Sequence, residues 1–302
     1  MTQKFYSNGK LLLSGEYVIL DGALGLAAAT TYGQALQITE HKYPLIKWKS
    51  TSADGSVWFE TEIDAISLEI IHSSDLDTAR TLQEILKQAR KLNADFLSGS
   101  TGYRAETYMD FERSWGLGSS STLINNIAQW AQVDAYQLLW KAFSGSGYDI
   151  ACAQHDSPIL YKLEENQPKV TEVVFNPPFK DKLYFVHLNK KQNSREGIAQ
   201  YRNQSFDKPQ LIKSISAITR QLVTCTRLSE FETLLCAHED LIAQNLNLST
   251  IKSEKFPNYT GSIKSLGAWG GDFILATGDK STPAYFKKMG YHTVIPFKHM
   301  IL

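Results

Sequence analysis

Four short segments of this 302-residue chain carry residue types that could grip a phosphate or move a proton. The first is Gly116-Leu117-Gly118-Ser119-Ser120-Ser121, between a strand-like and a helix-like pattern. Glycines let a backbone turn tightly and approach a ligand closely. A helix starting there offers unpaired N–H groups and the positive end of its dipole, which together favour a phosphate. The three hydroxyls add donors, and a serine oxygen suits Mg²⁺, a hard cation that prefers oxygen. The same residues would also make a plain strand-to-helix turn with serine caps. The second segment runs from Gly9-Lys10 to Ser14-Gly15-Glu16-Tyr17. Lys10 either aims a cation into a cleft or lies along the surface with its stem on apolar neighbours. In the third, Ser144 to Asp149, a carboxylate follows a Gly/Ser turn, placed as a general base or as a helix cap. The fourth, Gly267-Ala-Trp269-Gly270-Gly271-Asp272, is a tight turn leading into an apolar strand.

Familiar alternatives fail on spacing. A Walker-type loop needs Gly-Lys-Ser/Thr after four residues, and Gly9-Lys10 is followed by Leu11. A dinucleotide fingerprint needs a third glycine where Ser121 stands and an acid near position 138, which is Leu138. No serine has glycine two residues to each side, so a nucleophile elbow is absent. His238-Glu239 begins a zinc-hydrolase pattern, but position 242 is Ile242. His238 instead falls on the apolar stripe of its helix and reads as a core histidine. Lys+Arg and Asp+Glu balance at 31 each, which argues against nucleic acid as a partner. No run approaches the ~18 apolar residues of a membrane span. Cys152, Cys225 and Cys236 are odd in number with no Cys-x-x-Cys, as expected of free thiols in a reducing cytoplasm. The first ten residues show no signal-peptide core.

The elements that must position these segments read as a mixture of strands and helices. Short strands are expected at 11–13, 17–20, 35–39 and 57–61, and a helix at 76–92 from Leu82, Ile85, Leu86 and Ala89. Residues 103–111 alternate as a half-buried strand. A helix follows Ser121, with shorter ones at 135–143 and 149–155 and a strand at 158–161. Beyond Asn176-Pro-Pro come a strand at 183–188, helices at 209–226 and 229–245, a strand at 272–277, a helix at 283–289 and a strand at 292–297. The fold class is α+β. Length suggests two domains, and the Asn176-Pro-Pro turn marks the boundary between 1–175 and 176–302.

In order, the four segments resemble the GHMP kinase superfamily, which includes galactokinase, homoserine kinase, mevalonate kinase and phosphomevalonate kinase. Gly9-Lys10 to Gly15-Glu16 looks like its first motif. Gly116 to Ser121 looks like its phosphate loop, and Gly267 to Asp272 like its third motif. The resemblance implies a ribosomal-protein-S5-like domain followed by a ferredoxin-like one, with the active site in the cleft between them. It further implies ATP with its phosphates on Gly116, Leu117, Gly118, Ser119, Ser120 and Ser121, and Mg²⁺ held partly by Ser120. Asp149 would be the catalytic base, and Lys10 a catalytic cation near it. Glu16, Tyr17, Arg195, Gly270, Gly271 and Asp272 would meet the substrate. Arg104, Arg113, Lys190 and Lys191 are further candidate cations for an anionic acceptor.

Within the superfamily the chain looks like the mevalonate branch. Gly15-Glu16-Tyr17 and the terminal Asp272 resemble phosphomevalonate kinases, and Gly147-Tyr-Asp149-Ile-Ala marks a bacterial subgroup. Leu138 stands where mevalonate kinases carry a second metal ligand, and Trp269 replaces a small residue of the third motif. The implied partner is a small alcohol or phosphorylated acceptor, in a monomer or homodimer. A sugar or amino-alcohol kinase, or a non-catalytic nucleotide-binding protein, stays open.

Overall fold

The computed structural model describes residues 2–191, 194–267, 269 and 271–302, without the side chains of Ser194 and Arg195. Two compact units emerge, and neither is consecutive along the chain. One comprises residues 1–9, 32–113 and 117–154; the other comprises 10–31, 114–116 and 155–302. They do not follow a single cut near 175, because residues 10–31 and 155–175 group with the C-terminal half. The long strands β1 (Thr2–Ser14) and β2 (Gly25–His41) each give one portion to either unit.

The first unit adds β3 (Leu45–Thr51), β4 (Val57–Asp64), β5 (Ile70–Ser73), α1 (Leu76–Leu92), β6 (Gly102–Met109), α2 (Ser119–Ala131), α3 (Ala135–Ala142) and α4 (Tyr148–Gln154). Its strands run in the order β5-β4-β3-β6-β2, antiparallel except for β3 with β6. One sheet face presents Leu36, Ile38, Ile46, Trp48, Phe59, Ile63 and Ala105 to the core. Leu82, Ile85, Leu86 and Ala89 of α1 and Ile124, Ile127 and Ala128 of α2 cover it, the helical spacing that an amphipathic stripe requires. Asp75 caps α1 by accepting from the Thr78 N–H at 2.9 Å, and Arg90 and Lys91 sit at the negative end of its dipole.

The second unit adds β7 (Ile159–Glu164), β8 (Gln167–Glu172), β9 (Leu183–His187), α5 (Ser194–Asn203), α6 (Lys208–Thr224), α7 (Leu228–Leu246), α8 (Ile251–Lys255), β10 (Ile263–Ser265), β11 (Phe273–Thr277), α9 (Thr282–Lys288) and β12 (Val294–Pro296). The order β10-β11-β9-β12, antiparallel throughout, with helices between β9 and β10 and between β11 and β12, is the ferredoxin-like arrangement. Gly25–Ala27 of β2 pair with β7. The β7–β8 hairpin turns on Glu165 and Asn166, both at positive φ, as a two-residue loop with the right twist requires. The strand expected at 17–20 is instead a 3-10 turn, Val18–Asp21, closed by Gly22 in the left-handed region. A run of four apolar residues does not distinguish the two.

Candidate active site

In the first unit the phosphate-binding candidates sit at the start of α2. Gly118 occupies the N-cap at φ 90°, and no side chain caps the helix. The first-turn N–H groups are thus left to a ligand or to water. Leu117 is fully buried and anchors the loop, while the Ser120 hydroxyl is exposed. Ser121 is buried and donates its hydroxyl to the Asp149 carboxylate. Asp149 lies half-buried in the first turn of α4, and its other oxygen accepts from the Ile150 N–H at 3.2 Å. The turn before it is fixed by the Trp140 indole, which donates to the Gly145 carbonyl at 3.2 Å.

A neutral network holds α2 itself. Thr122 donates to Gln34 Oε1 at 2.6 Å, and Asn126 donates to the Gln34 carbonyl at 2.9 Å. Ser7 donates to Asn126 at 2.7 Å and accepts from Asn125 at 2.8 Å. Gln154 of α4 donates to Asn125 Oδ1 at 3.0 Å. Thr122, Asn125 and Asn126 are buried and share one face of α2. They tie the helix to β1, β2 and α4, so Ser121 and Asp149 keep their register. Leu138 is fully buried in the apolar core, so no metal ligand stands there. Among the described residues no group of three or more His, Cys, Asp or Glu side chains could hold a metal ion.

In the second unit, Lys10 is half-buried and donates to the Gly116 carbonyl at 3.0 Å. Gly116 has φ 67°, and a Cβ there would lie 2.4 Å from Asp272 Cγ, so both conformation and space demand glycine. Asp272 itself holds φ 51°; its N–H donates to the Lys190 carbonyl and its carbonyl accepts from Leu188, each at 2.8 Å. Trp115 packs edge-on against Phe273, and His187 Nε2 lies 3.0 Å from the Ser114 carbonyl. Ser114, Trp115 and Gly116 are therefore each held by a neighbour before the loop continues.

Glu16 does not stand open to a small molecule. Its side chain is fully enclosed, 2.5 Å from Lys264 Nζ and 3.2 Å from His238 Nε2. The first motif led to the expectation that Glu16 meets the substrate; here its carboxyl is buried against Lys264 and His238. Tyr17 is also buried, stacked on Tyr201, and its hydroxyl accepts from the Trp269 N–H at 2.9 Å. Gly271 is buried just before β11. Gly270 and the Arg195 side chain lie outside the described residues. Arg113 is placed over the Trp58 ring at 3.7 Å, a cation–π contact; Arg104, Lys190 and Lys191 are exposed.

Lys264 and the Gln34–Asn125–Asn126 network were not read from the sequence. Thr122, Asn125 and Asn126 recur at helical spacing, a polar stripe that could have been found. Lys264 in Ile263-Lys264-Ser265 gave no local sign of burial.

No family model matches the chain, and no curated protein matches it. Solved structures do match. Streptococcus pneumoniae phosphomevalonate kinase in complex with phosphomevalonate and AMPPNP is 16% identical, with 97% of this chain and 99% of that one covered at a TM-score of 0.71. Methanococcus jannaschii mevalonate kinase is 14% identical, with 97% and 96% covered at 0.69. Lactococcus lactis galactokinase complexed with galactose is 13% identical, with 98% and 94% covered at 0.67. Likeness over nearly the whole of both chains gives this chain the fold of the GHMP kinases.

Proposed function

We propose that this chain is an ATP-dependent kinase of the GHMP superfamily that phosphorylates a small alcohol. The observation that carries the reading is the contact between Ser121 and Asp149, which sets a carboxylate beside the uncapped start of α2. A phosphate site and a proton acceptor on one framework suit phosphoryl transfer, which is mostly positioning and charge neutralisation. The residues fit ATP and Mg²⁺. The N–H groups at Gly118–Ser121 would hold the phosphates, and the exposed Ser120 hydroxyl would offer an oxygen to the metal. When bound, MgATP supplies the γ-phosphoryl group and neutralises its charge. Asp149 takes the acceptor hydroxyl proton, and Ser121 holds its rotamer. Lys10, steadied by the Gly116 carbonyl, contributes a cation toward developing negative charge.

The acceptor is read as mevalonate or 5-phosphomevalonate, on Gly15-Glu16-Tyr17, on Asp272 and on two of the structural likenesses. A sugar is the second reading, supported by the galactokinase likeness at a similar score. The test is ATP-dependent phosphorylation of mevalonate, 5-phosphomevalonate and galactose side by side. Turnover of one of the first two supports the proposal. Turnover of galactose alone moves the acceptor outside the mevalonate pair, and ATP binding without any transfer removes the kinase.

A further inference from the structure

Four titratable side chains meet inside the second unit: Glu16, His238, Glu239 and Lys264. Lys264 Nζ lies 2.5 Å from Glu16 Oε1 and donates to the Ser265 carbonyl at 2.8 Å. Neighbouring residues of α7 grip both partners' segments. His238 Nε2 accepts from the Gly15 N–H at 3.0 Å, and Glu239 Oε1 accepts from the Ser265 N–H at 3.0 Å. One residue beyond Glu16, Tyr17 accepts from the Trp269 N–H. Three ties thus join residues 14–17, directly or through α7, to residues 264–269. These two stretches carry the end of the second segment and the start of the fourth.

The cluster is costly. Buried ion pairs lose hydration that their attraction often fails to recover, and apolar replacements are commonly as stable or more so. Here Glu16 Oε2 and His238 Nδ1 are buried with no hydrogen-bond partner, which adds to the cost. Stability alone does not account for such an arrangement. Its geometry does: an ion pair has a preferred distance and direction, and an apolar contact does not.

We propose that Lys264 is a positioning residue, which through Glu16 fixes the Ser14–Tyr17 turn against the segment that bears Trp269 and Asp272. The consequence for catalysis rests on the kinase reading above. Lys10 precedes Ser14 on β1, and Asp272 follows Trp269 by three residues. A slip between the two stretches would move both, and the transfer step more than substrate capture.

The experiment compares the wild type, Lys264→Met and the pair Glu16→Met/Lys264→Met. Each is measured for Tm, for kcat and KM with ATP and its acceptor, and for hydrogen exchange at the Gly15, Ser265 and Trp269 amides. Lys264→Met leaves a carboxylate without its cation and can prevent folding, so the pair carries the decision. The expected result is a pair with wild-type Tm or higher, kcat lowered about 10- to 100-fold, KM within about 3-fold, and faster exchange at those amides. A pair with wild-type Tm, kcat and exchange overturns the proposal. If the wild type transfers phosphate to no acceptor, the kinase reading fails separately. Exchange then decides alone: faster exchange at unchanged Tm upholds the positioning role, and unchanged exchange ends it.

Discussion

The two units hold their site segments with opposite chemistry. In the first, α2 is fastened by hydroxyls and amides: Ser7, Gln34, Thr122, Asn125, Asn126 and Gln154. None of these titrates. In the second, the Ser14–Tyr17 turn is fastened by Glu16, Lys264, His238 and Glu239, and two of the buried atoms stay unpaired. Burial pushes the Glu16 carboxyl up against the opposing pull of Lys264, and lifts Glu239 to about 8. Burial and then Lys264 drive His238 well below its ordinary value. A neutral network is indifferent to pH, whereas the charged cluster makes placement conditional on where its protons sit. Asp149 and the start of α2 are therefore set once by folding, and the first motif is set by folding and by protonation together.

The strongest way to break this contrast is to remove chemistry without disturbing the neutral network. Asp149→Asn keeps an acceptor for Ser121, so stability should hold while kcat falls about 100- to 10,000-fold, the span of general-base contributions. Steady-state kinetics beside nucleotide binding would check it, and near-wild-type turnover would remove Asp149 from the chemistry. Next comes Lys264→Met, which strands a buried carboxylate and should cost about 3–5 kcal/mol in denaturant unfolding. Recovery in the pair with Glu16→Met would mark the cost as unpaired charge; no recovery would mark it as packing.

In the neutral network, Asn126→Leu leaves the Gln34 carbonyl without its donor and should cost about 1–3 kcal/mol. That loss should be equal at pH 6 and pH 8, and a pH-dependent loss would blur the contrast. The smallest effect sharpens it from the other side. A raised carboxyl is stabilising while protonated and loses that contribution as pH rises through its folded value. A depressed histidine acts oppositely and loses its contribution as pH falls below its unfolded value of 6.5. Between 6.5 and about 8 only the carboxyl contribution remains, so stability should fall with pH by about 1–2 kcal/mol. Glu239→Gln should flatten that slope, and an unchanged slope would assign it elsewhere.

Much of this was legible along the chain where one face of an element is apolar. The spacing of Leu82, Ile85, Leu86 and Ala89 located α1 at its observed bounds, 76–92, because all four point into one core. Alternation from Tyr103 to Met109 marked β6 and its buried face. Four strands escaped. β3 does alternate, with Ile46, Trp48 and Ser50 buried. β5 has only four residues, β8 is mostly polar, and β10 has three residues, all buried on both faces. Such pieces are strands because partners pair with them, which no local pattern records. The site divided the same way. Glycines and hydroxyls announced the start of α2, and Asp149 followed a visible turn. Nothing near Lys264 announced Glu16, 248 residues away. Burial changed what Glu16 is, since a carboxylate in a motif looks the same whether it faces solvent or a lysine.

The interleaving of the two units also has a consequence for synthesis. Thr30 bridges to Ile301, and the Thr31 N–H donates to the Met300 carbonyl. Thr30 and Thr31 therefore wait for partners made roughly 270 residues later. At bacterial to eukaryotic elongation rates that is a delay on the order of 15–50 s. Gly25, Leu26 and Ala27 wait about half as long, since their partners are Ile159, Leu160 and Tyr161 of β7. Residues of one strand, β2, thus gain their partners at widely different times, and slower translation stretches the gap between them.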